Sequence, residues 1–256
     1  MFRRLFKPLV GLKERYASEY FQHERKPVEE RFFSSIVGYS DLKRILMKAI
    51  VSKESVHILL TGPPATSKTV FLLEMRKELD NSHFVDGTAT SGKGMIDFLF
   101  DNPKTEYLLI DEVDKINKKD QTVLYNVMET GILAETKSNR TTGSRQQKMK
   151  LKIFATGNEL ERLQNAFRSR FMEFYLSEYS LKEFLEITKR LLYSRYKLSD
   201  EIAAAIADVV WNDIKTRDIR DILQIAKLAR NVEDVQDVAR TLMKYRPKSK
   251  TDEDDE

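Results

Sequence analysis

Residues Gly62 to Thr69 read Gly-Pro-Pro-Ala-Thr-Ser-Lys-Thr, between the apolar run Val56-His57-Ile58-Leu59-Leu60 and the stretch Val70-Phe71-Leu72-Leu73-Glu74-Met75. The order is strand, tight loop, helix. It restricts the chain to α/β architectures in which a loop and a helix N-terminus aim backbone N–H groups at one point. A point of that kind holds a di- or triphosphate. The candidate cradle is Gly62, Pro63, Pro64, Ala65, Thr66, Ser67, Lys68, Thr69 and the following Val70. Lys68 is expected to reach the β- and γ-phosphates of ATP or GTP, and the Thr69 hydroxyl to ligate Mg²⁺. Ser67 stands where the pattern asks for glycine. The expectation is that it already begins the helix, with a negative φ and its Cβ turned from the phosphates.

A second motif, Leu108-Leu109-Ile110-Asp111-Glu112, ends a buried strand in two carboxylates. In doubly wound sheets the carboxyl ends of the strands line the ligand crevice, so Asp111 falls where the Mg²⁺ of a bound nucleotide belongs. Glu112 is then the candidate base that accepts a proton from the attacking water. The order of the two motifs, phosphate loop first and carboxylate pair about forty residues later, points to nucleotide hydrolysis.

Other apolar runs with strand character are His83-Phe84-Val85, Leu151-Lys152-Ile153-Phe154-Ala155 and Met172-Glu173-Phe174-Tyr175-Leu176. Helical patterns separate most of them, which implies a parallel sheet covered on both faces. From Ser180 the strands stop. Ser180-Leu181-Lys182-Glu183 reads as a capping box opening a helix to about Tyr193, and amphipathic segments follow near 199–214, 217–230 and 232–245. Trp211 is expected to pack within that helical bundle. The fold class is α/β, a P-loop parallel sheet sandwiched by helices, followed by a small all-α domain.

Composition excludes several chemistries. The 256 residues contain no cysteine, so disulfides, thiolate zinc sites and cysteine nucleophiles are ruled out, and His23, His57 and His83 lack metal-ligand spacing. No stretch has the roughly eighteen apolar residues of a membrane span. The first residues carry charge and a proline inside any would-be signal core, so the expected location is cytoplasmic. The net charge is +4, but the last five residues are all acidic, leaving 44 basic against 35 acidic residues in the body. Such a tail is either simply solvated or a regulatory cover for a basic surface.

At this point the chain resembles the AAA+ ATPases over about Phe32 to Arg246. Phe33-Ser34-Ser35-Ile36-Val37-Gly38-Tyr39 is similar to the segment ahead of the phosphate loop whose apolar residues contact adenine, which implies ATP and assigns Val37 to the base. Phe154-Ala155-Thr156-Gly157-Asn158 is similar to the first sensor, with Asn158 orienting the lytic water. Ala166-Phe167-Arg168-Ser169-Arg170-Phe171 looks like the arginine-finger segment, and the Ser-Arg-Phe triplet favours Arg170 over Arg168. A finger acting on a neighbour implies a homo-oligomer, a hexameric ring or spiral. In Thr216-Arg217-Asp218-Ile219-Arg220 the resemblance implies a second sensor at Arg220, with Arg217 as the alternative. The resulting domains are a basic arm over 1–31, an AAA+ nucleotide-binding domain over 32–178, a helical lid over 179–246 and an acidic disordered tail over 247–256. The arm is open to a membrane surface, nucleic acid or the adjacent subunit.

Residues 131–152 read as two arms of a hairpin. From Thr136 to Lys152 there are six cations, Lys137, Arg140, Arg145, Lys148, Lys150 and Lys152, and no acidic residue. The charge suits phosphate contacts to nucleic acid, or a protein-docking surface. The run, with the Leu124-Tyr125 and Met128-Glu129 pairs ahead of it, looks like the corresponding part of the RuvB branch-migration helicases, and is also similar to hairpin insertions in other DNA-handling AAA+ proteins. The RuvB helicases carry a winged-helix domain after the lid, whereas here about ten residues follow the last helix, and they use threonine where Asn158 stands. The implied function is an ATP-dependent motor remodelling or translocating DNA; the alternatives are a protein-remodelling ATPase or a clamp-loader-like switch. Ser91-Gly92-Lys93-Gly94-Met95 is expected to be either a mobile pore loop or an ordinary flexible turn.

Overall fold

The computed structural model describes residues 27–90, 92–135 and 145–245. Two compact units divide between Ser177 and Glu178. The first contains α1 (Val28–Phe32), α2 (Ser40–Val51), β1 (Ile58–Thr61), α3 (Lys68–Glu78), β2 (Ser82–Asp86), α4 (Gly92–Asp101) and β3 (Tyr107–Asp111). It continues with α5 (Lys118–Thr130), β4 (Ile132–Glu135), β5 (Arg145–Lys148), β6 (Lys152–Gly157), α6 (Asn165–Arg168) and β7 (Met172–Tyr175).

Five strands form one parallel sheet in the order β2-β3-β6-β1-β7. Side chains alternate across it with the strand period of two. Ile58 and Leu60 of β1, Tyr107 and Leu109 of β3 and Phe154 of β6 share one core with Leu46 and Ile50 of α2 and Phe71 and Met75 of α3. Leu59, Leu108, Ile110, Ile153 and Ala155 point the other way and pack with Met95 and Leu99 of α4, Leu124 and Val127 of α5, and Phe167. Both faces are thus buried, which is why these strands read as unbroken apolar runs. Because β6 lies between β1 and β3, the loops leaving the carboxyl ends of all three adjoin.

β4 and β5 pair antiparallel as a separate hairpin, Ile132 opposite Lys148 and Glu135 opposite Arg145. Its tip, with Lys137 and Arg140, lies outside the described residues. The expected arm over 1–31 is described only from residue 27, where Glu30 of α1 accepts from the fully buried Lys43 ammonium at 2.6 Å.

The second unit is helical: α7 (Leu181–Tyr196), α8 (Asp200–Asp208), a π-helical turn over Val209–Asp213, α9 (Ile219–Leu228) and α10 (Val232–Tyr245). The capping box is present in full, Ser180 accepting from the Glu183 N–H and Glu183 from the Ser180 N–H. The segment expected as one helix near 199–214 instead widens into the π turn after Asp208. Trp211 of that turn is half-buried, 5.3 Å from the Phe184 ring. Among the described residues, no helix is long and apolar enough to cross a membrane.

One buried titratable group sets a pH dependence. His57, just ahead of β1, is buried; its Nδ1 accepts from the Ile153 N–H at 3.1 Å and its ring meets Phe171 edge-on. Burial pushes its pKa down to about 4. The neutral imidazole therefore belongs to the folded state, while the unfolded chain takes up a proton below about 6.5. Stability is full above pH 6.5 and falls as pH drops toward 4, by about 2 kcal/mol between pH 7 and pH 5 from this group. Urea unfolding at both pH values should show a smaller loss for His57→Gln than for the parent; equal losses would exclude His57 as the source.

Candidate functional site

The loop after β1 begins at Gly62, whose φ is +135° and where a Cβ would lie 2.1 Å from the Leu176 carbonyl oxygen. Only glycine lets the loop pass the end of β7 so closely. The Thr66 hydroxyl donates to the Pro63 carbonyl at 2.9 Å and accepts from the Lys68 ammonium at 3.2 Å. The same ammonium donates to the carbonyls of Gly62 at 2.8 Å and Pro63 at 2.6 Å. Lys68 is buried at the start of α3, and burial lowers its pKa against the opposing pull of Asp111, Asp114 and Glu112. Val70 follows within the first turn of α3, and Val37 is buried in the segment before Gly38 and Tyr39, both of which have positive φ.

Ser67 corrects the expectation from sequence. It sits at the N-cap of α3 with φ +62° and ψ 9°, in the left-handed region, not at a negative φ. Ala65 is left-handed as well, at φ +66°. Each carries a Cβ where glycine fits without strain, at a cost of roughly 1–2 kcal/mol. The loop conformation is kept in spite of its residues, which marks the conformation as the thing the fold holds.

Asp111 closes β3 directly across from the loop. Its Oδ1 accepts from the Thr69 hydroxyl at 3.0 Å and from the Thr156 hydroxyl in a shorter bond. The Thr156 oxygen in turn accepts from the Glu112 N–H at 3.0 Å. Glu112 has φ +50°, again left-handed, held by that bond at the turn into Val113–Lys115. Thr156 was not singled out from sequence. Its signal was positional: it stands where β6 runs between β1 and β3, next to the pairing of Ile110 with Ala155.

Asn158 is exposed just past β6, and its backbone N–H donates to the buried Asp114 carboxylate at 3.1 Å. Lys115 faces that carboxylate's second oxygen at 3.3 Å and also pairs with Glu159. Arg170 lies between α6 and β7, its Nε on Glu129 and its guanidinium 5.1 Å from the Tyr125 ring. Arg168 makes a two-pronged pair with Glu173 at 2.9 and 3.0 Å. In the second unit, Arg220 is largely exposed and pairs with Asp218, the N-cap of α9, at 2.8 Å, whereas Arg217 lies 3.4 Å over the Trp211 ring.

Lys152 is buried, donating to the Ile50 and Ser52 carbonyls at 2.6 and 2.7 Å, so it serves the C-terminal end of α2, not the hairpin surface. Arg145 is gripped by Asp97 of α4 and Glu135 of β4 and lies 4.0 Å over the Phe100 ring, its pKa raised first by the Asp97 bond. That leaves Lys148 and Lys150 as exposed cations among the described part of the run. Gly92 opens α4 and is buried, with Asp120 filling the space a Cβ would need, so the expected flexible loop around Lys93 is a packed helix start. Lys93 itself is exposed and shares with Lys115 and Lys119 the wall of an open cavity of about 450 Å³.

Ser67→Gly should remove part of the left-handed cost, offset by glycine's greater freedom in the unfolded chain, for a net gain of about 0.5–1 kcal/mol. Thermal unfolding measures it, and a destabilised glycine variant would mean that the Ser67 side chain contributes more than it strains.

The chain is similar to known proteins in sequence and in fold. Residues 58–179 match the model of the ATPase family associated with various cellular activities (AAA). The RuvB subunit of the Holliday junction branch migration complex of Pseudothermotoga lettingae is 30% identical over 165 residues, covering 60% of this chain and 48% of that protein. The DNA replication licensing factor mcm2 of Xenopus tropicalis is 27% identical over 146 residues, 45% of this chain and 16% of its own length. The solved structure of the Thermotoga maritima RuvB branch migration motor superposes with a TM-score of 0.59 at 23% identity, over 80% of this chain and 70% of the other. The chain thus spans about half the length of its RuvB relative and a sixth of mcm2.

Proposed function

We propose that this chain, an AAA+ ATPase module resembling that of RuvB, binds ATP with Mg²⁺, hydrolyses it in an oligomeric ring and uses the cycle to remodel or translocate DNA. The observation that carries the nucleotide part is the single Asp111 oxygen that receives both the Thr69 and the Thr156 hydroxyl. It brings a carboxylate and a hydroxyl oxygen, the hard donors that Mg²⁺ prefers, to the mouth of the phosphate loop. Mg²⁺ held by Thr69 and Asp111 would neutralise charge on the phosphate oxygens.

The chain's own groups have separable roles in this reading. Lys68 exchanges its carbonyl acceptors for β- and γ-phosphate oxygens, and the loop N–H groups hold the remainder. Val37 contacts adenine. Glu112 takes a proton from the attacking water, Asn158 orients that water, and Thr156 fixes the turn that aims Glu112. Arg170 reaches the nucleotide of a neighbouring subunit and meets charge that grows in the transition state. Arg220, or Arg217 in its place, senses nucleotide from the helical unit.

DNA as substrate is supported by the branch-migration and replication roles of the related RuvB and mcm2 proteins and by the exposed Lys148 on β5 and Lys150 just after it, with Lys93 and Lys119 on the open cavity. A protein substrate is the second reading, favoured by the engagement of Arg145 within its own chain, which reduces the cations free to meet phosphates.

Lys68→Ala should abolish ATP binding, whereas Glu112→Gln should bind ATP and stall, with kcat down at least 100-fold; wild-type turnover by Glu112→Gln would remove it as the base. ATPase assays with single-stranded, duplex and junction DNA test the substrate, and stimulation by one form is the expected result.

For the hairpin, a Lys148→Ala, Lys150→Ala double variant should bind DNA more weakly, with little dependence on sequence. It should also flatten the slope of log affinity against log salt by about 0.7–0.9 per lost contact. An unchanged slope would shift the assignment to a protein partner.

A further inference from the structure

Arg170 is set in place from both sides of the chain. Phe167 and Phe171 are buried on either side of it, their rings edge-on at 5.1 Å, so the backbone at this turn is anchored. The side chain is about one-third exposed and meets one face of α5. Tyr125 and Glu129 stand four residues apart on that helix and so project from the same face. The Glu129 carboxylate takes the Nε–H, the Tyr125 ring lies under the guanidinium, and the longer contacts are Nη2 to the Tyr125 hydroxyl at 3.4 Å and Nη1 to Ser169 at 3.3 Å. The helix is fixed in turn: Gln121 donates to the Ile116 carbonyl at 2.9 Å and accepts from the Gln164 N–H at 2.8 Å, joining α5 to the segment that leads into Arg170.

A guanidinium has five N–H donors in one rigid plane. Glu129 occupies the one on Nε, and the two Nη contacts are at the long end of hydrogen-bond range, so the outer Nη edge keeps donors for a further oxyanion. The ring below and the carboxylate at the side leave the plane little freedom to rotate.

We propose that Glu129, assisted by Tyr125, is the positioning residue of the Arg170 finger: it holds the Nε edge so that the Nη edge is presented to the phosphate bound by the adjacent subunit. This rests on the reading of Arg170 as a finger acting in trans. A group held in place before reaction loses less freedom in the transition state, so its partner should affect turnover more than ATP affinity.

The test uses mixed oligomers of the full chain. Lys68→Ala supplies a finger without a nucleotide site, and Arg170→Ala supplies a site without a finger; the mixture should recover activity at the interface where the two complement. Adding Glu129→Ala to the finger donor should lower the recovered kcat about tenfold with KM for ATP unchanged, and Glu129→Asp should restore part of it. The same substitution placed in the Arg170→Ala chain has no finger to misplace and should leave the recovered activity at the parent level. Equal losses in both arrangements would overturn the positioning role in favour of a structural one, as would no loss in either. No recovery in the parent mixture, despite demonstrated subunit exchange, would instead overturn the trans finger and the role of Glu129 with it.

Discussion

One carboxylate oxygen organises the carboxyl end of the parallel sheet. Asp111 Oδ1 receives hydroxyls from Thr69 on α3 and Thr156 on β6, while Thr156 also takes the N–H of Glu112. Three elements that are far apart in sequence meet on two side-chain oxygens. The sheet makes this possible, because the order β2-β3-β6-β1-β7 puts β6 between the strand that carries the phosphate loop and the strand that carries the carboxylates. Removing the Thr156 hydroxyl would leave both an aspartate oxygen short of a donor and a backbone N–H without its acceptor, the costly kind of loss for half-buried polar groups. The left-handed turn at Glu112 would lose the bond that holds it.

Lysine is used in an unusual way throughout the first unit. Lys43, Lys68 and Lys152 are all buried, and each puts its ammonium on backbone carbonyls: Ile36 for the first, Gly62 and Pro63 for the second, Ile50 and Ser52 for the third. Lys152 in particular answers the carbonyl end of α2, where a cation is favoured by the helix dipole. Of the three, Lys68 is distinguished by its neighbourhood of Asp111, Glu112 and Asp114, whose negative charge favours the ammonium that burial disfavours. Its acceptors are carbonyls of the loop itself, so this lysine ties the start of α3 back to the loop after β1.

Much of the fold is legible because burial on both faces writes long apolar runs, and the carboxyl ends of those runs single out Lys68, Thr69, Asp111 and Glu112, which the structure brings near one another. The helical unit announced itself through Ser180 and Glu183, whose reciprocal cap is a strictly local pattern. What escaped was decided by tertiary neighbours. Ser67 adopts a glycine-like conformation at the N-cap of α3, two residues before the Thr69–Asp111 bond, which no local preference for serine reports. Lys152 and Arg145 looked alike in the run of cations, yet one is sealed under α2 and the other clamped by Asp97, a residue nearly fifty positions earlier. Gly92 makes a close contact with Asp120 where sequence suggests freedom, since flexibility and tight packing both call for the smallest residue.

The helix α5 links these observations mechanically. Its start follows the turn of Glu112 through Val113–Lys115, with Asn117 capping it by accepting from the Asp120 N–H at 3.1 Å. Its middle and end carry Tyr125 and Glu129, and Gly131 then turns the chain directly into β4, where the Gly131 carbonyl accepts from Met149 at 2.8 Å beyond the hairpin's other arm. A rigid helix of thirteen residues therefore has the carboxylate turn at one end and the hairpin base at the other, with the Arg170 contacts between them. A tilt of α5 would displace Glu129 and the Glu112 turn together, because closely packed helices shift largely as bodies. The Glu112 turn, the Arg170 contacts and the base of the hairpin are thereby joined through one element.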